Sequence, residues 1–464
     1  MKTILFDPGK FPYAPLADAI SEYTKKKNKL VLVTKNKPGG QWDQSNTGLE
    51  TLYYSQLQKA KALDELTEDQ KEQYVEILER VINDYRTFLL YERVYPVRED
   101  NSLPDSIQHI DILVFNSIGL LNKYKPDILF FPTTPHHIRQ WALGRVAEYL
   151  GIEVLMLQLT ALPWKYRLAK GIDDQKIYPV TDLDSQPDAG KVDAFIDTTS
   201  KDFATALPTY EKKRIEARKG KFWSWRKELK DGTKNVNVLK TLMYKHRLYK
   251  TYHSLCINEV SPNDKFIAYF MHVQPERTSL PEGRLFSQQW LIIRTLSLML
   301  PKGWKLLVKE HPSTFMATFD PRYRSVKFYQ DIAGLSNVDL LPISFNTFDI
   351  IDRSQGIATI TGSVGIQALV RGKSVLTFGV APFRDAFGAF EIYNTRDIKN
   401  AIEKIIETPS ETIRKKTAEY LHTLDQSSVS GFDGNSGDVK DIYAREHKIK
   451  AHIKLLSHFF RSFA

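Results

Sequence analysis

The segment that most constrains this chain runs from residue 357 to residue 379. A short apolar run (357–360) leads into the small-residue turn Thr361-Gly362-Ser363-Val364-Gly365. A helical stretch containing Gln367 follows, then a stop at Gly372 and a second apolar run ending at Gly379. This reads as strand, turn, helix, strand. A turn that opens a helix points unpaired N–H groups and the positive end of the helix dipole outward together, which makes an anion site. Phosphate is the anion such turns most often receive. About fifty residues earlier, the sequence Val308-Lys309-Glu310-His311-Pro312-Ser313 closes another apolar run. The two loops together point to nucleotide handling.

Nothing in the composition opposes a large α/β core. The 464 residues suit two or three domains, and hydrophobic residues make up 42%. No apolar run reaches the length of a membrane span. The start, Met1-Lys2-Thr3-Ile4-Leu5-Phe6-Asp7-Pro8, has too short an apolar stretch for a signal peptide. The single cysteine, Cys256, rules out a disulfide framework within the chain and a cysteine metal site, and a reducing cytoplasm is expected. No metal signature and no cofactor motif is found.

The net charge of +10 is concentrated. Residues 211–250 hold 14 Lys/Arg against 4 Asp/Glu, which accounts for the whole excess. Phe222, Trp223, Trp225, Tyr244 and Tyr249 are interleaved with them. The segment reads either as a solvated helical linker with snorkelling side chains or as a surface for an anionic membrane or glycan. Nucleic acid is not the expected partner.

Runs at 4–6 and 30–34 flank a helical pattern near 16–23, a β-α-β opening. Residues 63–90 read as one long charged helix. The unbroken apolar run 128–131 is a buried parallel strand, followed by a helix (141–150) stopped at Gly151 and a strand at 153–157. A second series begins near Lys265, with strands at 266–271, 304–308, 338–341, 357–360 and 375–378 and a helix at 286–300. The expectation is an α/β chain of two doubly wound, Rossmann-like domains facing across a cleft. Residues 1–160 form an acceptor domain, and 161–260 a mainly helical basic elaboration and linker. Residues 261–424 form a nucleotide-binding domain, and 425–464 a flexible loop with a C-terminal helix. That helix carries Ile442, Ile449, Ile453, Leu456 and Phe460 on one face.

In a parallel sheet the carboxyl ends of the strands open on one edge. His272-Val273-Gln274-Pro275-Glu276, Glu310-His311-Pro312-Ser313, the 361–365 turn and Gly379 therefore converge in the second domain. In the first, Asp7 and Pro135-His136-His137 follow strands in the same way and belong to the acceptor side. Each histidine also has a plain reading as a helix cap, and Glu276 as a surface partner of Arg277 or Arg284. Asp182-Leu183-Asp184 lies in a Pro- and Asp-rich stretch and reads as a solvated loop.

The stretches Phe270-Met271-His272-Val273-Gln274-Pro275-Glu276, Lys309-Glu310-His311-Pro312 and Gly362-Ser363-Val364-Gly365-Ile366-Gln367-Ala368-Leu369-Val370-Arg371-Gly372-Lys373-Ser374-Val375 resemble the bacterial capsule polysaccharide biosynthesis proteins. Their members include Kdo transferases that use CMP-Kdo. The His-Pro loop also resembles that of bacterial sialyltransferases, where it contacts the CMP phosphate. The resemblance spans roughly residues 260–400. It implies a GT-B architecture and a glycosyltransferase that builds a cell-surface polysaccharide or glycolipid.

On that reading Lys309, His311, Pro312, Ser313, Thr361, Gly362, Ser363, Val364, Gly365 and Gln367 hold the nucleotide and its phosphate. Glu276 and Glu310 are candidate acid, base or nucleophile, and His272 orients the donor. Charge builds on the departing phosphate, so preorganised N–H donors matter most, and no metal is required. The expected location is the cytoplasm, peripheral to the inner membrane face. Two rivals stay open: a sugar-nucleotide 2-epimerase, which needs no acceptor, and a non-catalytic GT-B scaffold.

Overall fold

The computed structural model describes residues 3–7, 29–34, 50–53, 67–95, 102–178, 187–201, 236–315 and 321–430. These fall into two compact units, one up to residue 178 with 426–430, the other 187–425. The 16–23 helix, the Asp182/Asp184 stretch, the basic segment before residue 236 and the C-terminal helix lie outside the described residues. Among the described residues no helix is long and apolar enough to cross a membrane.

The first unit runs β1 (Thr3–Phe6), β2 (Lys29–Thr34), β3 (Glu50–Tyr53), α1 (Glu68–Asn83), α2 (Tyr85–Val94), α3 (Leu103–Tyr124), β4 (Ile128–Phe131), α4 (Ile138–Tyr149), β5 (Glu153–Leu159), β6 (Lys165–Lys170) and β7 (Lys176–Tyr178). Strands β3-β2-β1-β4-β5 are parallel in that spatial order. The expected single helix over 63–90 is two helices. Asp84 ends α1 and its carboxylate accepts the Arg86 N–H, capping α2. The expected helical character from residue 161 is also corrected, because β6 and β7 are antiparallel strands added to β5. Their charged residues alternate with apolar ones, and a basic composition hid a period of two.

The second unit contains α5 (Ala189–Lys201), α6 (Val236–Leu255), β8 (Lys265–Phe270), α7 (Gln289–Met299), β9 (Trp304–Lys309), α8 (Val326–Ala333), β10 (Val338–Leu341), α9 (Thr347–Arg353), β11 (Gly356–Thr359), α10 (Val364–Val370), β12 (Ser374–Thr377), β13 (Ala389–Glu391), α11 (Thr395–Glu407) and α12 (Ser410–Gln426). The expected 286–300 helix begins instead as a 3-10 turn, Arg284–Ser287, and becomes α-helical at Gln289. All six strands are parallel, in the order β10-β9-β8-β11-β12-β13. Numbered from its own first strand this is 3-2-1-4-5-6, the doubly wound order. Its core joins β8, β9 and β11 to α7, α8 and α11 through Ile267, Tyr269, Ile292, Leu296, Leu306, Val308, Tyr329 and Ile402. Residues near 425, expected as loop, end α12, and β14 (Val429–Ser430) pairs antiparallel with β6 of the first unit.

Candidate nucleotide site at the switch point of the second sheet

Strand order reverses between β8 and β11, so the chain leaves these neighbours in opposite directions. That divergence opens a crevice at their carboxyl ends, the place where doubly wound sheets bind ligands. His272 follows β8 and the 361–365 turn follows β11, and the structure joins them directly.

His272 is 8% exposed. Its Nε2 accepts the backbone N–H of Thr361 (3.3 Å) and lies 3.0 Å from the Thr359 hydroxyl, which itself accepts the Gly362 N–H (3.2 Å). A ring nitrogen that accepts an amide proton is unprotonated, so the His272 proton sits on Nδ1. Burial, with His311 and Arg324 close by, drives the His272 pKa down to about 3. The imidazole is therefore a neutral donor at physiological pH. Gly362 is required here, because a Cβ would stand 2.8 Å from the Thr359 hydroxyl and 3.3 Å from His272 Nε2. Thr361 is also buried, and its hydroxyl donates to the Thr278 carbonyl (2.9 Å).

The turn has fewer free donors than its sequence promised. The Gly365 N–H is spent on the Gly362 carbonyl (2.9 Å). Gly365 is there because Phe383 packs where its Cβ would be. Ser363 is exposed and its hydroxyl does not cap α10. Among the described residues, the N–H groups of Ser363 and Val364 have no protein partner. Those two amides and the serine hydroxyl are what the turn offers an anion. Gln367 is buried within α10, and its N–H returns to the Ser363 carbonyl (3.3 Å).

Two sequence expectations change at the β9 loop. Lys309 does not hydrogen-bond to the 361–365 turn. Its buried Nζ donates to the Phe345 carbonyl (2.6 Å) and the Thr347 hydroxyl (3.0 Å), tying β9 to the start of α9. Burial lowers its pKa to about 8. Glu310 is not placed to react, because its carboxylate is enclosed. It accepts from Arg324 Nε (2.6 Å), the Tyr329 hydroxyl (2.6 Å), the Thr314 hydroxyl (3.1 Å) and the His311 N–H (2.7 Å). Pro312 and Ser313 shape the loop as a short 3-10 turn. The Ser313 N–H donates to His311 Nδ1 (3.1 Å), which leaves the His311 proton on Nε2. Glu276 is half-buried, and its carbonyl accepts the N–H groups of Ser279 and Leu280.

Sequence reasoning passed over the residues that hold these loops. Gln289, the first residue of α7, accepts the Tyr269 hydroxyl (3.0 Å) and the His272 N–H (2.7 Å). It also donates to the His272 carbonyl (2.8 Å) and to Gln274 Oε1 (2.9 Å). Gln289 had little local signal, because Ser287 and Gln288 beside it are polar too. Arg324 had none, because its partners lie 14 to 52 residues away. From the opposite side, α6 sends the Tyr252 hydroxyl to the Leu341 carbonyl (2.5 Å), where it also accepts the Glu310 N–H (2.9 Å). Lys245 Nζ donates to the Thr314 carbonyl (3.0 Å).

The acceptor-side residues belong to the first unit. Asp7 is buried at the end of β1, and its N–H donates to the Phe130 carbonyl (3.1 Å). His136 Nδ1 lies 2.9 Å from the Thr134 carbonyl. His137 is exposed at the start of α4 and makes no side-chain cap. Among the described residues no group of three or more His, Cys, Asp or Glu gathers to hold a metal.

No curated protein matches the chain. Among solved structures, UDP-GlcNAc 2-epimerase from Methanocaldococcus jannaschii aligns at 11% identity over 92% of this chain and 100% of that one, with a TM-score of 0.25. The Neisseria meningitidis UDP-GlcNAc 2-epimerase, bound to UDP-GlcNAc, aligns at 15% over 91% and 97%, with a TM-score of 0.25. Thermosulfurimonas dismutans KpsC, a beta Kdo 2,7 transferase, aligns at 12% over 66% and 89%, with a TM-score of 0.28. Overlaps this slight carry no functional weight. A family model described as "Capsule polysaccharide biosynthesis protein" matches residues 290–388. That segment holds the His311 loop, the 361–365 turn and α10.

Proposed function

We propose that this chain is a glycosyltransferase that moves a sugar from a nucleotide-sugar donor, CMP-linked and Kdo-type, to a bacterial surface polysaccharide or glycolipid. One observation carries the reading. A neutral, buried His272 with its proton on Nδ1 stands at the switch point of a 3-2-1-4-5-6 sheet, bonded to the turn that exposes the Ser363 and Val364 amides. As the bond from the sugar to the leaving phosphate breaks, negative charge collects on that phosphate. His272 Nδ1–H, His311 Nε2–H and the two amides are the donors that would stabilise it. These are N–H donors already ordered by the fold, so little reorganisation is needed as the charge develops. With Glu310 enclosed, Glu276 is the remaining carboxylate of the original pair for activating the acceptor hydroxyl.

The first unit, with Asp7, His136 and His137, is the acceptor side in this reading. The basic segment 211–250 would hold the protein on the anionic inner face of the cytoplasmic membrane. Replacing its basic residues between Lys212 and Lys250 is expected to reduce sedimentation with anionic vesicles more than turnover on a soluble acceptor.

The test is thermal shift with CMP, CDP, UDP and GDP. A ligand that binds only the folded state raises the melting temperature. A response to CMP alone supports a CMP-linked donor, and no response to any of the four overturns the nucleotide-site reading.

A further inference from the structure

The two imidazole-bearing loops come from different strands, His272 after β8 and His311 after β9. One buried guanidinium reaches both. Arg324 Nη2 donates to the His272 carbonyl (2.9 Å) and Nη1 to Gln274 Oε1 (2.9 Å) on the first loop. Arg324 Nε donates to Glu310 Oε2 (2.6 Å) on the second, and Glu310 Oε1 accepts the His311 N–H (2.7 Å). Arg324 is 5% exposed, and its ring neighbour is Phe328, 5.2 Å away. Tyr329 shares the Glu310 carboxylate from the same side (2.6 Å).

Such a pair is not explained as a simple source of stability. Desolvating two charges offsets most of what their attraction returns, and apolar residues of similar volume often serve as well. What the planar fork supplies is geometry: several N–H donors at fixed angles, which a lysine cannot match.

We propose that Arg324 is a positioning residue that sets the distance between the His272 and His311 imidazoles, acting through Glu310 on one side and the His272 backbone on the other. It touches no reacting atom. Its use in catalysis rests on the nucleotide-site reading above, whereas its effect on the two imidazoles does not.

The test uses the full chain with Arg324→Met, Arg324→Lys, Glu310→Gln and, as a control remote from both loops, Ser297→Ala, which removes a hydrogen bond to Asn337. Two readouts are taken: the imidazole resonances of histidine-labelled protein without ligand, and affinity for CMP, CDP, UDP and GDP by calorimetry. In Arg324→Met the His272 and His311 resonances are expected to move together. Affinity for the nucleotide bound by the wild type should fall by at least about tenfold, the scale of one lost hydrogen bond to a charged phosphate.

Arg324→Lys should keep the melting temperature closer to wild type yet fail to restore affinity. It also serves as the test variant if Arg324→Met does not fold. Glu310→Gln, which keeps an acceptor for the His311 N–H, should lose less than about tenfold. Unmoved imidazole resonances, or full rescue by lysine, would overturn the positioning role. Moved resonances in a protein whose wild type binds none of CMP, CDP, UDP and GDP would uphold the positioning role and refute the nucleotide site.

Discussion

The two sheets share a scaffold and use it differently. Each winds its first five strands in the order 3-2-1-4-5, and each has a switch point between its first and fourth strands. In the second unit the buried charge sits at that point: Arg324 and Glu310 lock the loops that carry His272 and His311. In the first unit the buried charge sits where α4 ends. Arg145 bridges Asp173 (2.9 Å) and Glu148 (2.8 Å), Arg86 reaches Asp84 and Asp173 (2.7 and 2.6 Å), and both guanidinium groups stack on Trp141. Like chemistry braces helices in one unit and loops in the other. An ion cluster is therefore not a functional sign by itself; its place relative to the switch point is what separates the cases.

That contrast can be broken by mutation. Arg145→Met should cost stability by roughly 2 kcal/mol, less than a fully buried pair because the Asp173 and Glu148 carboxylates are partly exposed. It should leave nucleotide affinity as in the wild type. Denaturant unfolding and calorimetry check the two halves, and a matching loss of affinity would refute the division of labour. His311→Ala should lower turnover about 100-fold, the scale of a lost charge-stabilising donor, with the fold intact. Unchanged turnover removes His311 from the mechanism.

Ser363→Pro is a finer cut. Ser363 has φ of −58°, close to the value a proline ring imposes, so the turn should keep its course while losing one amide and one hydroxyl. Affinity for the nucleotide should drop about tenfold, and a smaller loss than that of Ser363→Ala would argue against the amide.

The smallest effect is on pH. The His272 pKa lies at about 3 in the folded protein, below the ordinary 6.5, so between these values the unfolded chain binds the proton and the folded one does not. Its contribution to stability is complete above 6.5 and is lost as pH falls toward 3. His272→Gln should flatten the acid limb of the stability profile in that window. Unchanged acid sensitivity would mean that other groups control it.

Much of the scaffold was legible because apolar runs and glycine stops mark parallel strands and helix ends locally. The runs at 128–131, 266–271 and 304–308 correspond to β4, β8 and β9, and their carboxyl ends could be placed on one edge by topology alone. Strands β6 and β7 were missed because β6 carries Lys165 and Arg167 inside the sheet, between β5 and the pair β7 and β14, where a charged residue gives no apolar strand signal. At the site, His272 and the glycine turn could be read from sequence, since backbone constraints and a strand end both leave local marks. Lys309 and Glu310 could not be placed from sequence because both are enclosed by partners 14 to 38 residues away, Phe345 and Thr347 for the lysine and Arg324 and Tyr329 for the glutamate.

The sequence by itself determined two α/β series, the strand–turn–helix unit at 357–379 and a likeness over residues 290–388 to the capsule polysaccharide biosynthesis proteins. These are written in short-range patterns of apolar period, glycine and helix starts. Tertiary structure alone decided which donors stay open, which carboxylate is enclosed and which arginine joins the two histidine loops. Those outcomes depend on contacts across tens of residues, such as Arg324 with His272 and Tyr252 with Glu310. A chain reveals such pairings only once burial has removed the water that would otherwise satisfy each group alone.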